Sequence, residues 1–131
     1  MSSIRPIRLF ALAALLAAAA AHADGIKGDA ARGKELFMAS SCPTCHAVTR
    51  DDTSKVCPNL VGVVGRKAGT TKSLLGPSEN MKKYGVIWSA ETLNEFLANP
   101  SAKVPGTAMA GILEDPQERA DVIAYLATLT N

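Results

Sequence analysis

Two cysteines and a histidine stand together in the segment Cys42-Pro43-Thr44-Cys45-His46, where their types and spacing favour one kind of chemistry. On a tight turn, cysteines three positions apart place both thiols on one side of the backbone, and the imidazole of the next residue enters the same space. This C-x-x-C-H pattern is typical of covalent haem attachment, in which the thiols add to two vinyl groups and the imidazole binds the iron. The segment predicts one covalently bound haem c, with His46 as an axial ligand of its iron.

Other uses of paired cysteines agree less well with the sequence. A structural zinc site needs four ligands, usually in two spaced pairs, and here only Cys57 could add another thiolate. A redox-active C-x-x-C pair belongs to a strand–helix unit, which this sequence does not predict. A disulfide between Cys42 and Cys45 would close a strained ring and would leave His46 without a role. We therefore favour haem over zinc, thiol redox chemistry or a structural disulfide.

The second axial ligand of the iron is predicted to be a methionine sulfur. Beyond the N-terminal residue, the chain offers Met38, Met81 and Met109. Met109 follows a loop at 105–108 that proline stiffens and glycine turns, so its sulfur could be held rigidly against iron. Met81 lies in a polar stretch and Met38 in a predicted helix, where a gap-filling core role is expected. A thioether ligand raises the potential, as an electron carrier requires, and an open or differently filled axial position is the alternative to Met109.

The N-terminus carries the pattern of an export signal. Arg5 and Arg8 precede an apolar run from Leu9 to Ala21, and the sequence at 21–23 is a small-x-small cleavage site. The 13 residues of this run are fewer than the roughly 20 that span a bilayer, which makes an uncleaved anchor the weaker alternative. We predict a cleaved signal peptide at 1–23, a single mature domain at 24–131, a periplasmic location, and no stable membrane insertion after cleavage.

Charge and composition narrow the class of protein further. The chain has 14 Lys and Arg against 12 Asp and Glu, and loss of Arg5 and Arg8 with the leader leaves 12 of each. A neutral domain has no basic excess with which to bind nucleic acid or a membrane surface. The three cysteines are an odd number, which argues against a pure disulfide framework. A small domain with few aromatic residues would also gain core from an apolar prosthetic group.

Three helices are predicted, and the segments between them read as loops. The first runs from about Asp29, its N-cap, to Ser40. The second starts after Ser89 and ends near Asn99, because a proline follows. The last begins after its cap Asp115 with proline at the first helical position. Its apolar stripe consists of Val122, Tyr125, Leu126 and Leu129. Frequent glycines and prolines elsewhere predict loops, and strands are not predicted.

The mature chain from Gly33 to Leu129 resembles the class I cytochrome c family, particularly its mitochondrial-type and bacterial c2-like members. The landmarks of this resemblance, in order, are 42–46, 58–60, 65–67, 85–88, 99–100, 105–109 and 120–126. The resemblance implies an all-α cytochrome c fold, with loops wrapped around one covalently bound haem. It also implies that the N- and C-terminal helices cross near Gly33 and Tyr125. From the sequence alone, Gly33 could equally be a tolerated surface glycine.

The resemblance also implies further contacts with the haem. The backbone carbonyl of Pro58 would accept a hydrogen bond from the second ring nitrogen of His46, which fixes the ring and tunes the metal. Arg66 and Trp88 resemble residues that hydrogen-bond a haem propionate, a group that is costly to bury without partners. Thr107 resembles a donor near the second propionate.

The sequence departs from the family pattern at several positions. Phe96 stands where a tyrosine usually lies beside the methionine sulfur, and the segment 74–77 replaces a tyrosine-containing propionate loop. Cys57 occupies a position that is usually glycine. We predict a buried, inert thiol there, and a partner-facing or disulfide-forming thiol is the alternative in an oxidising compartment. Lysines that surround the haem edge in respiratory members are missing at 101, 102 and 108, whereas Lys55 is retained.

The implied function is that of a monomeric one-electron carrier, not an enzyme, which exchanges electrons with a redox protein donor and acceptor. A second hypothesis is a dedicated cytochrome c subunit docked on one periplasmic dehydrogenase, as the haem subunit of an oxidoreductase complex. The neutral mature charge and the missing lysines favour such a private interface. A third hypothesis is a haem enzyme or gas sensor with an open iron position, which requires that Met109 does not bind.

Overall fold

The computed structural model describes residues 27–111 and 113–131, so the predicted signal peptide and its cleavage site lie outside the described residues. The described chain forms six helices: α1 (Ala30–Ala39), α2 (Cys42–Cys45), α3 (Glu79–Tyr84), α4 (Ala90–Ala98), α5 (Pro100–Lys103) and α6 (Pro116–Thr128). Within these residues no strand forms, and an isolated antiparallel bridge joins Lys67 to Ile87. The predicted all-α class is confirmed.

The three predicted helices correspond to α1, α4 and α6, and each begins at the predicted cap. The Asp29 carboxylate accepts hydrogen bonds from the first turn of α1, and the Asp115 carboxylate does the same for α6. Ser89 and Thr92 form a reciprocal capping box at the start of α4. These side chains satisfy backbone N–H groups that have no partner inside the helix, which is why local sequence marks the helix starts so well.

The prediction that only loops connect these helices was wrong, because α2, α3 and α5 are short helices. Ser78 caps α3 by accepting a hydrogen bond from the Met81 N–H, and Gly85 ends it in the left-handed region at φ 50°. Asn99 caps α5, and Pro100 occupies its first position. The same proline that ends α4 therefore also starts the next helix. Helices of one or two turns are too short to show an apolar period in the sequence.

The close crossing of α1 and α6 depends on a residue without a side chain. Gly33 is buried at the crossing, where an added Cβ would collide with the backbone carbonyl of Asp121. One turn along α1, the ring of Phe37 packs on Tyr125 with centroids 5.6 Å apart. The predicted crossing near Gly33 and Tyr125 is confirmed, and Gly33 is not a surface glycine.

A core of buried apolar side chains lies where α1, α4 and α6 meet. Its members include Phe37, Leu93, Phe96, Leu97, Val104, Leu113, Val122, Ile123 and Leu126. The predicted core role of Met38 is wrong, since its side chain is 55% exposed. Gly33 and Phe37 lie four residues apart and therefore share the buried face of α1. Met38, the next residue, is rotated away from that face toward solvent.

A buried carboxylate links the start of α1 to α6. Asp121 is 1% exposed and accepts hydrogen bonds from the Asp29 N–H at 2.8 Å and the Gln117 side chain at 2.9 Å. Its other oxygen lies 3.4 Å from the Arg32 guanidinium. The hydrogen bond from Asp29, followed by that from Gln117, lowers the pKa of Asp121. The charged form therefore helps to hold the two terminal helices together.

We expect Asp121→Asn to weaken the holoprotein at neutral pH and to reduce its sensitivity to acid. Because the folded-state pKa is lowered, the carboxylate stabilises the fold above its unfolded pKa of about 3.9 and loses this effect as pH falls through the folded pKa. Denaturant titrations from pH 7 down to about pH 3 would measure this, with the exposed Glu114→Gln as the control. An equal acid-induced loss of unfolding free energy in wild type and Asp121→Asn would contradict the assignment.

Candidate functional site

A cavity of about 630 Å³ opens into the core beside α2, α3 and α4. Most of its wall is apolar and is made by side chains such as Phe37, Leu60, Val63, Leu93, Phe96, Leu97, Leu113 and Leu126. All eight residues that the sequence and the resemblance nominate contribute to the wall: Cys42, Cys45, His46, Pro58, Arg66, Trp88, Thr107 and Met109. An apolar cavity of this size with a few polar groups suits a large, mostly apolar ligand.

The turn at α2 brings two thiols and an imidazole to the same part of the wall. The His46 N–H donates to the Cys42 carbonyl at 2.9 Å, which closes the single turn of the helix. Beyond this turn His46 has an extended backbone, at φ −112° and ψ 136°. Cys42 and Cys45 are both unpaired, half-buried thiols. Both cysteines and His46 line the same cavity, as the C-x-x-C-H spacing predicts for neighbouring residues.

A backbone carbonyl orients the imidazole of His46. Its Nδ1 atom lies 2.7 Å from the oxygen of Pro58. A carbonyl oxygen can only accept, so Nδ1 carries the hydrogen and Nε2 keeps a free lone pair. Burial lowers the pKa of His46, and the charge of Arg66 acts in the same direction against the opposing effect of the Pro58 hydrogen bond. A neutral ring with one free nitrogen is the form that binds a metal.

Two methionines, Met81 and Met109, also contribute to the wall of the cavity. The Met109 N–H donates to the Thr107 hydroxyl at 3.2 Å, and the Thr107 N–H donates to the Val104 carbonyl at 3.1 Å, so the loop before Met109 is held at two points. Gly106 supplies the left-handed conformation in that loop, at φ 76°. Met81, from α3, also reaches the wall and packs against the core, although its polar neighbours in the sequence gave no sign of this.

Comparison with known proteins identifies the family of this chain. The family model for cytochrome c matches residues 30–130. The chain is 46% identical over 105 residues to cytochrome c of Tetrahymena pyriformis, a match that covers 79% of this chain and 91% of the relative. It is 43% identical over 117 residues to cytochrome c2 of Rhodomicrobium vannielii, which covers 88% of this chain and 89% of the relative. The chain belongs to the cytochrome c family.

Membership of this family tests two of the predictions made from the sequence. The protein has one covalently bound haem c with its iron, and it is an electron-transfer protein. Both predictions are confirmed. Its relatives include bacterial and eukaryotic proteins: the chain is 44% identical over 99 residues to a cytochrome c homolog of Bradyrhizobium diazoefficiens, a match that covers 74% of this chain and 53% of the relative.

A half-buried guanidinium gives the cavity of this cytochrome c a positive charge. Arg66 donates to the backbone carbonyls of Asn59 at 2.9 Å and Val61 at 3.3 Å. Burial lowers its pKa. In the described part of the chain, the ion pairs join other residues, and no carboxylate lies within ion-pairing distance of Arg66. An anionic group on the bound haem would meet a matching charge here, so the wall fits a haem with its carboxylates.

One polar atom of the wall is left without a partner in the described structure. The hydroxyl of Ser73 is buried, lines the cavity and makes no hydrogen bond to the described residues. A buried hydroxyl usually has a partner, and a polar group of the haem would supply one. Ser73 is not among the residues nominated from the sequence. Serine is common in loops, and only its position in the fold distinguishes this one.

Cys57 lies beside the attachment turn. Its N–H donates to the Cys45 carbonyl at 3.1 Å. The residue lies at the wall of the cavity and is half-buried, whereas the sequence analysis predicts a buried thiol. Burial raises the pKa of the Cys57 thiol. Since the thiolate is the reactive form, a raised pKa favours an unreactive thiol at neutral pH.

We expect Cys57→Ser to leave the absorption spectrum and the oligomeric state of the holoprotein unchanged. If Cys42 and Cys45 form the thioether bonds, as the sequence predicts, Cys57 is the cysteine left to react with a thiol reagent. A thiol reagent should modify it slowly in the folded protein and rapidly after denaturation, and the denatured sample serves as the control. A disulfide-linked dimer on non-reducing gels, absent from Cys57→Ser, would instead make Cys57 an interface residue.

Proposed function

We propose that this cytochrome c is an exported one-electron carrier whose haem is attached through Cys42 and Cys45 and ligated by His46 and Met109. The observation that carries the proposal is the convergence of four side chains, two thiols, an imidazole and a thioether, on one apolar cavity. The His46 ring is already oriented by Pro58 with its Nε2 lone pair free. Soft and neutral ligands of this kind favour a stable Fe(II) state.

Each proposed residue has a defined task. Pro58 holds the ring of His46, which keeps the ligand in one tautomer and orientation. The Thr107 hydroxyl accepts from the Met109 N–H, so its own hydrogen remains free to donate to a haem carboxylate. Arg66 and Trp88 supply further donors from the same wall. When bound, the haem supplies an iron that alternates between Fe(III) and Fe(II).

Rigidity of the ligand loops is the main contribution of the protein to electron transfer. The Met109 loop is pinned by two hydrogen bonds, and the Pro58 segment is anchored because Arg66 donates to the Asn59 carbonyl. A site that keeps both ligands in both oxidation states reorganises little on each transfer. Burial and these hydrogen bonds then set the potential without any acid–base or substrate chemistry.

Export is proposed from the leader pattern. Arg5 and Arg8, the apolar run at 9–21 and the small residues at 21–23 support cleavage after Ala23 and a periplasmic, monomeric mature protein. In the described part of the chain, no helix is long and apolar enough to cross a membrane. The resemblance to a bacterial cytochrome c2 supports the same location.

A second candidate function is a haem subunit dedicated to one periplasmic dehydrogenase. The observation that favours it is that the exposed residues Ser101, Ala102 and Ala108 carry no charge, although Lys67 remains at the cavity wall. Fewer charges give less electrostatic steering toward many partners. A stable one-to-one complex with a single dehydrogenase, isolated from periplasm, would favour this function over the free carrier.

The test is expression of the full chain in a bacterium that attaches haem in its periplasm. We expect a periplasmic protein that begins at Asp24, with one haem per chain and a reversible one-electron titration. The ferric form should show the low-energy sulfur-to-iron absorption band that reports methionine ligation. Membrane protein that retains residues 1–23 would contradict cleavage, and protein that stays in the cytoplasm would contradict export. Absence of the band would favour an open-site haem protein.

A further inference from the structure

The loop that leads to Met109 contains a tight turn at 104–107. Its closing hydrogen bond runs from the Thr107 N–H to the Val104 carbonyl at 3.1 Å. Proline stands at the second position and glycine at the third, and Gly106 has φ 76°, which are the features of a type II turn. The closing bond uses the carbonyl of the first residue only. The central carbonyl, that of Pro105, is therefore free to accept a hydrogen bond from another segment of the chain.

Asn80 in α3 donates that hydrogen bond. Its side-chain nitrogen lies 2.8 Å from the Pro105 oxygen, across 25 positions of the chain. A carbonyl oxygen can only accept, so the NH₂ group of Asn80 faces it. Among the described residues, this is the hydrogen bond that links α3 to the loop before Met109. The next residue of α3, Met81, lines the same cavity as Met109, so two neighbouring parts of the wall are joined here.

The two ends of α3 are held by different kinds of contact. At the C-terminal end, the ring of Tyr84 packs on Trp88 with centroids 5.9 Å apart. In the middle, Gly69 lies so close that a Cβ added to it would come within 2.7 Å of the helix backbone. The N-terminal end follows the exposed residues 74–76, and there the side chain of Asn80 makes the link to the Met109 loop. This end of the helix depends most on a single hydrogen bond.

We propose that Asn80 is a positioning residue for Met109, because its amide ties the turn at 104–107 to α3 and so keeps the thioether directed into the cavity. The proposal deepens the proposed function and rests on the ligation of iron by Met109. Without the tie, the turn keeps its own closing hydrogen bond but can move away from α3. Met109 then leaves the iron more often, although no residue that touches the haem has changed.

The expected effect follows from the exposure of Asn80. Its hydrogen bond to Pro105 competes with water, so the net contribution corresponds to roughly a two- to tenfold change in an equilibrium constant. Such a change is small for the unfolding of the whole domain. It is easily measured when it acts on one local step, which here is the opening of the loop that carries Met109.

The test measures how readily imidazole displaces Met109 from the ferric holoprotein, followed as loss of the sulfur-to-iron absorption band. Asn80→Ala removes the amide. Asn80→Asp keeps its size and, as an acid in the first turn of a helix, favours α3, but the carboxylate cannot donate to a carbonyl. We expect both variants to raise the binding constant for imidazole by roughly two- to tenfold.

The matched control is Asn94→Ala. Asn94 is also exposed, and its side chain also makes a long-range hydrogen bond, accepted from the Arg119 guanidinium at 3.0 Å. Its loss should cost about as much unfolding free energy in guanidinium chloride as Asn80→Ala does, but it should leave the affinity for imidazole unchanged. An equal rise in affinity in Asn80→Ala and Asn94→Ala would show a general loss of stability and would overturn the positioning role.

A second measurement reports on the turn without using the iron. Native-state hydrogen exchange at the amides of Thr107 and Met109, which both donate hydrogen bonds within the loop, should be faster in the two Asn80 variants and unchanged in Asn94→Ala. Unchanged exchange in the Asn80 variants would overturn the proposal. A wild type without the sulfur-to-iron band would refute ligation by Met109 itself, whereas a wild type with the band and Asn80 variants with unchanged imidazole affinity would refute only the role of Asn80.

Discussion

Met109→Ala is expected to keep its haem covalently attached and to have a lower reduction potential than the wild type. The thioether stabilises reduced iron, and its removal leaves a high-spin or differently ligated ferric centre. Since axial ligands span roughly 0.8 V in haem proteins, we expect a decrease on the order of 0.1 V or more. Spectroelectrochemical titration and the ferric absorption spectrum measure both effects.

The matched control for Met109 is Met81→Ala. Both methionines line the cavity, but Met81 comes from α3 and only Met109 follows a loop held by the Thr107 hydroxyl. We expect Met81→Ala to retain the sulfur-to-iron band and to change the potential far less. The exposed Met38→Ala should change neither. If the band is lost in Met81→Ala and retained in Met109→Ala, the assignment of the axial ligand is wrong.

The double variant Cys42→Ala/Cys45→Ala is expected to yield little stable holoprotein. Both thioether bonds are lost, and the fold without a permanently bound haem leaves a cavity of about 630 Å³ among its core side chains. Unfilled apolar space of this size is expected to cost a large share of the roughly 5–15 kcal/mol that stabilises a typical domain. Haem content after purification and the cooperativity of thermal unfolding measure the result.

Single variants show whether the effect comes from the bonds or from the cysteines themselves. Cys42→Ala and Cys45→Ala each keep one possible thioether and should retain more haem than the double variant. Cys57→Ala removes a cysteine at the same wall that we do not assign to attachment, and it should retain full haem content. A haem-free double variant that unfolds cooperatively would contradict the idea that the haem completes the core.

Features set by local backbone chemistry can be predicted from the sequence. The starts of α1, α4 and α6 are predictable at Asp29, Ser89 and Asp115, because a side chain that caps a helix does so within three residues of its own position. The C-x-x-C-H turn is predictable for the same reason, since five consecutive residues determine where its thiols and imidazole meet. The short helices α3 and α5 cannot be predicted in this way, because neither is long enough to show a repeating pattern of apolar residues.

Tertiary packing decided the features whose sequence signal was neutral or misleading. The sequence is compatible with Gly33 either at the surface or at a helix crossing. The structure shows that it packs against the backbone of Asp121, which lies 88 positions later in the chain. The sequence around Met38 predicts a core residue, but α1 places its side chain in solvent. The polar residues around Met81 do not predict burial, but α3 places Met81 at the wall of the cavity. The unpartnered hydroxyl of Ser73 had no sequence signal at all.

The sequence by itself determined the attachment turn, the caps of the three long helices and, through the family resemblance, the haem and the all-α class. Only the tertiary structure decided which residues beyond that turn reach the cavity and which aromatic rings touch. The physical reason is the range of the interactions. A cap or a C-x-x-C-H turn is closed by hydrogen bonds between near neighbours in the chain, whereas the contact of His46 with Pro58 and that of Phe37 with Tyr125 exist only once distant segments pack together.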